Sequence, residues 1–267
     1  MDLLEETEPS LVRKTSTISS LLILVGFVLL GLFLGQFAAI IGILPLVDYN
    51  FQNIQQALAN PMGSPQAKTI LLIIQAATSI FGFIVAPLLH YRLIDRRQLA
   101  PLVPYLGNER LSPIQPVAKS TSPLDIRPTI SVVILGLVFL LMVAFMFANS
   151  VVIEWNMSLD FSQLSPAFEN WARGKEEELK ELTEYLTRFD SIAGLLIGLV
   201  VIAVLPAVGE ELLFRGLVQP KMQQLFENAH VAIWLSAICF SAIHLQFYGF
   251  FPRLLLGALF GYLFYWS

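Results

Sequence analysis

The chain is 267 residues long, 56% hydrophobic and only 13% charged, with a net charge of −4 and a mean hydropathy of +0.70. Soluble domains carry about 25% charged residues, so roughly half the usual charge is missing. That excludes a disordered chain, a basic nucleic-acid binder and almost any water-soluble enzyme. A single cysteine, Cys239, excludes an internal disulfide framework and any multi-cysteine zinc or iron–sulfur site. What remains is an all-α, polytopic transmembrane helix bundle with lipid as its main partner.

A spanning helix needs about 20 mainly apolar residues. Residues 1–20 read as a cytoplasmic tail. Leu21 to Val47 is then 27 residues without a charge, too long for a signal peptide and preceded by Asp2, Glu5, Glu6 and Glu8. Further spans are predicted at Ile70 to Leu89, Ile130 to Ile153, Ser191 to Gly209 and Val231 to Phe251. Residues 21–190 form an N-terminal set of spans and loops, and 191–267 a core of different character. Arg13 and Lys14 precede the first span, and Tyr91 to Pro128 carries Arg92, Arg96, Arg97, Arg110, Lys119 and Arg127. The loop from Asp48 to Thr69 has a single Lys68, and Glu154 to Asp190 has nine acids against four bases. Basic residues stay inside, which predicts a cytoplasmic N-terminus and an in–out–in–out path. Pro101 to Pro128, with six prolines, reads as irregular cytoplasmic chain. Gly174 to Asp190 has Leu179, Leu182, Tyr185 and Leu186 at helical spacing, an amphipathic helix outside the membrane whose acids face solvent.

Charges inside apolar sequence carry the functional signal. In the stretch Leu205 to Gln219, Pro206 is expected to disturb the helix ahead of it, with Gly209 and Pro220 bounding a short apolar helix. Inside it sit Glu210, Glu211 and Arg215. Three charges facing lipid would cost on the order of 8–10 kcal/mol, so they face protein or a wet cavity. Glu211 and Arg215 are four apart, in the favourable order for an ion pair. Glu210 lies about a hundred degrees around the helix from that pair, where a desolvated glutamate suits general acid–base work. The plainer reading is a helix start that welcomes acids.

His244 stands near the middle of the predicted span Val231 to Phe251. An intramembrane histidine needs a partner. One reading is a neutral imidazole bonded to a backbone carbonyl; another is that His244 and Glu210 act on one water; a third makes them two metal ligands, short of a full zinc set. His90 reads as an interfacial anchor, His230 as a turn residue, and Cys239 as inert packing. Phe247, Tyr248, Phe250 and Phe251 read as a membrane-interface belt.

Glu210-Glu211-x-x-x-Arg215 followed by Phe240-x-x-x-His244 resembles the first two motifs of the CPBP family of intramembrane proteases, the group that includes the prenyl-protein (CAAX) processing endopeptidase. The resemblance covers roughly Ser191 to the C-terminus. It implies a bundle of about eight helices around a wet, conical cavity. Glu210 would be the water-activating base and His244 its partner, with Glu211, Arg215 and Phe240 in support. The cofactor would be none or a divalent metal such as zinc, held by Glu210 and His244; family members have been described both ways. The substrate would be a membrane-associated peptide or protein, and the location a plasma or inner membrane if the source is prokaryotic.

The chain departs from the family in one respect. A further motif, a histidine followed four residues later by Asn or Asp, would stabilise the oxyanion, and His90, His230 and His244 are the only histidines. Leu254 to Ser267 is a 14-residue apolar run. Together these give the expectation of a member truncated at its C-terminus, with a loss of about 10²–10³ in turnover from the missing donor. Two other classes compete with an endopeptidase: a non-catalytic scaffold or immunity protein of the same fold, and a proton-coupled transporter using Glu210, Glu211 and His244 as a relay.

Overall fold

In the computed structural model the described residues are 7–64, 66–95 and 132–266. The proline-rich segment Pro101 to Pro128, Arg96 and Arg97 ahead of it, and the start of the N-terminal tail lie outside them. Among the described residues every regular element is helical. In chain order these are α1 (Thr7–Ile43), α2 (Phe51–Ala59), α3 (Ala67–Asp95), α4 (Val132–Ser158), α5 (Pro166–Thr187), α6 (Ile192–Phe226), α7 (Ala229–Ala242) and α8 (Phe250–Trp266). Ser16–Val47, Ala67–Asp95, Val132–Ser158 and Ile192–Phe226 are long and apolar enough to cross a membrane. Large apolar side chains stand exposed along them, Leu22 at 68% and Phe147 at 74%. A helix apolar all round belongs in lipid, so this is an integral membrane protein.

The described residues within Met1–Lys119 and Thr183–Leu225 form one compact unit, and those within Ser120–Leu182 and Phe226–Ser267 another. In the first, α1 packs on α3 and α3 on α6. Without water as a driving force, helices in lipid gain from close backbone approach at small residues. Gly31 of α1 lies against the backbone of Phe81, and Gly209 of α6 against Phe83, where an added Cβ would meet the Phe83 Cβ at 2.6 Å. At one end, Ala39, Ile43, Val47, Ile54, Ala57, Ala67 and Ile70 make a buried apolar cluster under the short helix α2. Asn50 caps α2 by accepting from the Gln52 N–H at 2.9 Å.

Proline acts differently from the sequence expectation. α6 runs unbroken from Ile192 to Phe226, through Pro206 and Pro220. A proline inside an α-helix lacks the N–H that would bond to residue i−4, and its ring collides with that carbonyl. Here a π-helical stretch precedes each one: Leu199–Val204 before Pro206, and Phe214–Val218 before Pro220. The same arrangement, Ser79–Val85, precedes Pro87 in α3. In all three the residue just before the proline donates five residues back, Leu205 to Val200, Gln219 to Phe214 and Ala86 to Phe81. The widened turn takes up the slack around the missing bond, so the helix continues instead of stopping.

In the second unit, α7 and α8 form a helical hairpin, and α8 also packs on α4. The predicted span Val231 to Phe251 is not one helix. α7 ends at Ala242, a turn covers residues 243–249, and α8 starts at Phe250. Leu245 adopts a left-handed conformation, φ 51°, and so reverses the chain. The amphipathic helix read at Gly174 to Asp190 is present as α5 and begins earlier, at Pro166.

Candidate active site

Glu210, Glu211 and Arg215 lie on α6, in the first unit. Arg215 is buried and Glu211 largely exposed, and Arg215 Nη1 stands 3.0 Å from Glu211 Oε1, the pair read from the i,i+4 spacing. Arg215 feels the charge of Glu210 as well. Arg215 sits in the π stretch Phe214–Val218, where the helix is locally wider. Gly209, immediately before Glu210, brings α6 into backbone contact range of α3 at Phe83.

His244 lies in the second unit, two residues beyond the end of α7 rather than mid-span. Its Nδ1 is 2.9 Å from the Phe240 carbonyl oxygen. A carbonyl only accepts, so Nδ1 carries the proton in the neutral ring and Nε2 is the basic nitrogen. The Phe240 ring stands edge-on to the imidazole at 5.3 Å and is itself buried against Gly257 and Ala237. Phe240 therefore supports His244 twice, through its carbonyl and its ring. Among the described residues, no three His, Cys, Asp or Glu side chains come together, so the donor set for a complete metal site is not assembled.

Two polar clusters escaped the sequence reading. In the first unit, His90 is fully buried rather than an interfacial anchor. Its Nε2 donates to the Ser20 carbonyl at 3.0 Å, and its Nδ1 lies 3.6 Å from Asp95 Oδ2. Lys221 Nζ reaches Asp95 Oδ1 at 2.6 Å and Ser20 Oγ at 2.8 Å, and Ser20 Oγ donates to Asp95 at 2.9 Å. The group ties α1, α3 and α6 together, about 16 Å along α6 from Glu210. A helix bounded at Pro220 leaves Lys221 outside it, whereas α6 continues through Pro220 and carries Lys221 into the group. The available signal was a charged residue within reach of an apolar run.

In the second unit, Tyr248 is buried and donates to both carboxylate oxygens of Glu169 at 2.7 Å. It is not an interface-belt residue. Glu169 is buried too, while Glu177, Glu178, Glu181 and Glu184 on the same helix are exposed. Arg173 closes the group, its Nε 2.8 Å from Glu169 Oε1 and its guanidinium 4.1 Å from the Tyr248 ring centre. The Tyr248 hydroxyl first, then Arg173, holds the Glu169 carboxyl below its ordinary value. His230 opens α7 rather than lying in a turn, with Nδ1 2.9 Å from the Tyr262 hydroxyl, and Cys239 is exposed rather than packed.

Comparison with known proteins gives one match. Residues 192–267 fit the family model of the Rce1-like, type II CAAX prenyl endopeptidases. No curated protein and no solved structure matches the chain. The matched segment holds Glu210, Glu211, Arg215, Phe240 and His244, all the residues on which the resemblance was read. The resemblance read from the motifs agrees with this match: over residues 192–267 the chain is similar to the Rce1-like, type II CAAX prenyl endopeptidases of the CPBP family.

Proposed function

We propose that the protein is an intramembrane endopeptidase that hydrolyses a peptide bond in a membrane-associated, CAAX-like substrate. The observation that carries this reading is the family match over the segment holding both motifs. Glu210 takes a proton from water as its oxygen attacks the scissile carbonyl carbon. The carbon–nitrogen bond then breaks, and the departing nitrogen takes up a proton. His244, with Nδ1 fixed on the Phe240 carbonyl, offers Nε2 as the second acid–base group. Arg215 holds Glu211 and adds positive charge beside Glu210.

We also propose the orientation read from the basic residues. Ser20 near the start of the first span and Asp95 and Lys221 near the ends of the second and fourth share one cluster, which supports placing those three ends on one side. Arg13, Lys14 and the basic loop after Asp95 make that side cytoplasmic.

The test uses the full chain in proteoliposomes and a fluorogenic peptide ending in a prenylated CAAX box. Glu210→Gln is expected to lower turnover by about 10²–10⁴ while membrane insertion is unchanged. Full activity in Glu210→Gln overturns the assigned role. Absence of any cleavage by the wild-type chain favours the scaffold reading.

A further inference from the structure

His244 sits on a turn that carries a strained residue. Leu245 takes the left-handed conformation, φ 51°, which a glycine adopts freely and a leucine resists. The side chain contributes little packing in return, being 73% exposed. The turn does contain a glycine, Gly249, but at another position. Backbone strain of this kind persists where the surroundings over-determine it.

The surroundings here are specific. Ser241 Oγ donates to the Phe250 carbonyl at 2.6 Å and closes the turn across its base. Gln246 donates to Glu176 at 3.0 Å and accepts from Arg253 Nη1 at 2.7 Å, and Gly249 leaves the space through which Arg253 reaches it. Tyr248 enters the buried group on α5 and bonds to Glu169. Arg173 anchors that group in turn. Its Nη1 donates to the Met157 carbonyl at 3.2 Å and its Nη2 to the Leu159 carbonyl at 2.9 Å, where α4 ends. A second oxygen of Glu169 accepts from the Phe161 N–H at 3.1 Å. The three side chains thus connect the end of α4, the first turn of α5 and the His244 turn.

We propose that Tyr248, Glu169 and Arg173 are positioning residues for His244, a polar clamp that fixes the turn carrying the imidazole. The assignment to the reaction rests on the reading of His244 as its second acid–base group. Tyr248 is four residues from His244, and the bend at Leu245 lies between them. If Tyr248 is released, the left-handed leucine has less to hold it, and the Phe240 carbonyl loses its aligned donor. The clamp acts on the direction of Nε2, and so on turnover, more than on substrate affinity.

The experiment combines nitrogen-15 histidine spectra and kinetics on the full chain in micelles. With three histidines in the chain, a His244→Gln variant assigns the third imidazole. In the wild type His244 is expected to show the single tautomer protonated at Nδ1. In Tyr248→Phe, which keeps the ring, that pattern is expected to collapse into tautomer exchange while the His90 and His230 signals stay put. With the prenylated peptide, kcat is expected to fall about tenfold with KM within twofold. Glu169→Gln removes the acceptor charge without touching the turn and is read in the same way if Tyr248→Phe fails to fold. Unchanged His244 signals in these variants overturn the clamp. Moved signals in a chain whose wild type cleaves no peptide uphold the clamp on His244 and overturn the protease reading instead.

Discussion

Glu210 and His244 are held by opposite means. Glu210 lies in a helix that does not stop: 35 residues of α6 continue through two prolines, and its place follows from the helix and the close contact of Gly209 with Phe83. His244 lies where a helix does stop, on a turn held by side chains of α5 that are tied in turn to carbonyls at the end of α4. The first arrangement rests mainly on a helix's own backbone hydrogen bonds, with one close helix–helix approach at Gly209. The second is made of side-chain contacts between distant residues, Tyr248 with Glu169 79 residues away and with the Leu159 carbonyl 89 away. A carboxylate on a continuous helix tolerates change at distant surface positions. An imidazole on a clamped turn is sensitive to substitutions that never touch substrate.

The largest effect in this comparison is expected on the α6 side. Lys221→Met removes the cation from the Asp95 group and leaves a nearly buried carboxylate. Breaking a buried pair in this way costs about 3–5 kcal/mol, read as a lower unfolding midpoint in mixed micelles. Adding Asp95→Leu to it is expected to recover much of the loss, because no unpaired charge remains. A smaller effect is expected from Gly209→Ala. The new methyl would press on Phe83 Cβ and lie 3.3 Å from its backbone. Overpacking of this kind costs about 1–3 kcal/mol, and the displaced helix carries Glu210 with it, so peptide turnover is expected to fall as well.

The smallest effect belongs to the clamp and is confined to acid. Glu169 has a folded-state value below its ordinary one near 4.5, owing to Tyr248 and then Arg173. Its contribution to stability is therefore complete above about pH 4.5 and is lost as pH falls through the lower folded value. Thermal unfolding from pH 6 down to pH 3 is expected to show an acid loss that Glu169→Gln reduces. An identical acid limb in the variant would separate Glu169 from the stability of this unit.

Hydropathy was sufficient to read an all-helical membrane protein, because a run of apolar residues in lipid has only one way to satisfy its backbone. It also revealed the Glu211–Arg215 pair, since i,i+4 geometry survives any reasonable helix. The ends of elements were harder. Pro206 and Pro220 suggested a break, and the π stretches that absorb them leave no mark in composition. The real break, at residues 243–249, was concealed by Phe247, Tyr248 and Phe250, which read as more membrane. Glu169 was lost among the acids of its loop, for burial of one carboxylate among nine depends on a tyrosine 79 residues away.

The Ser20–His90–Asp95–Lys221 group has a consequence for biogenesis. Asp95 leaves the ribosome 126 residues before Lys221. At about 5–20 residues per second, the carboxylate waits on the order of 6–25 s for its cation. During that interval Ser20 and His90, both already synthesised, are the group's members at hand. The arrival of Lys221 then docks the helix that bears Glu210. Assembly of the first unit thus has an order, with two early spans forming the socket and the helix of Glu210 docked last.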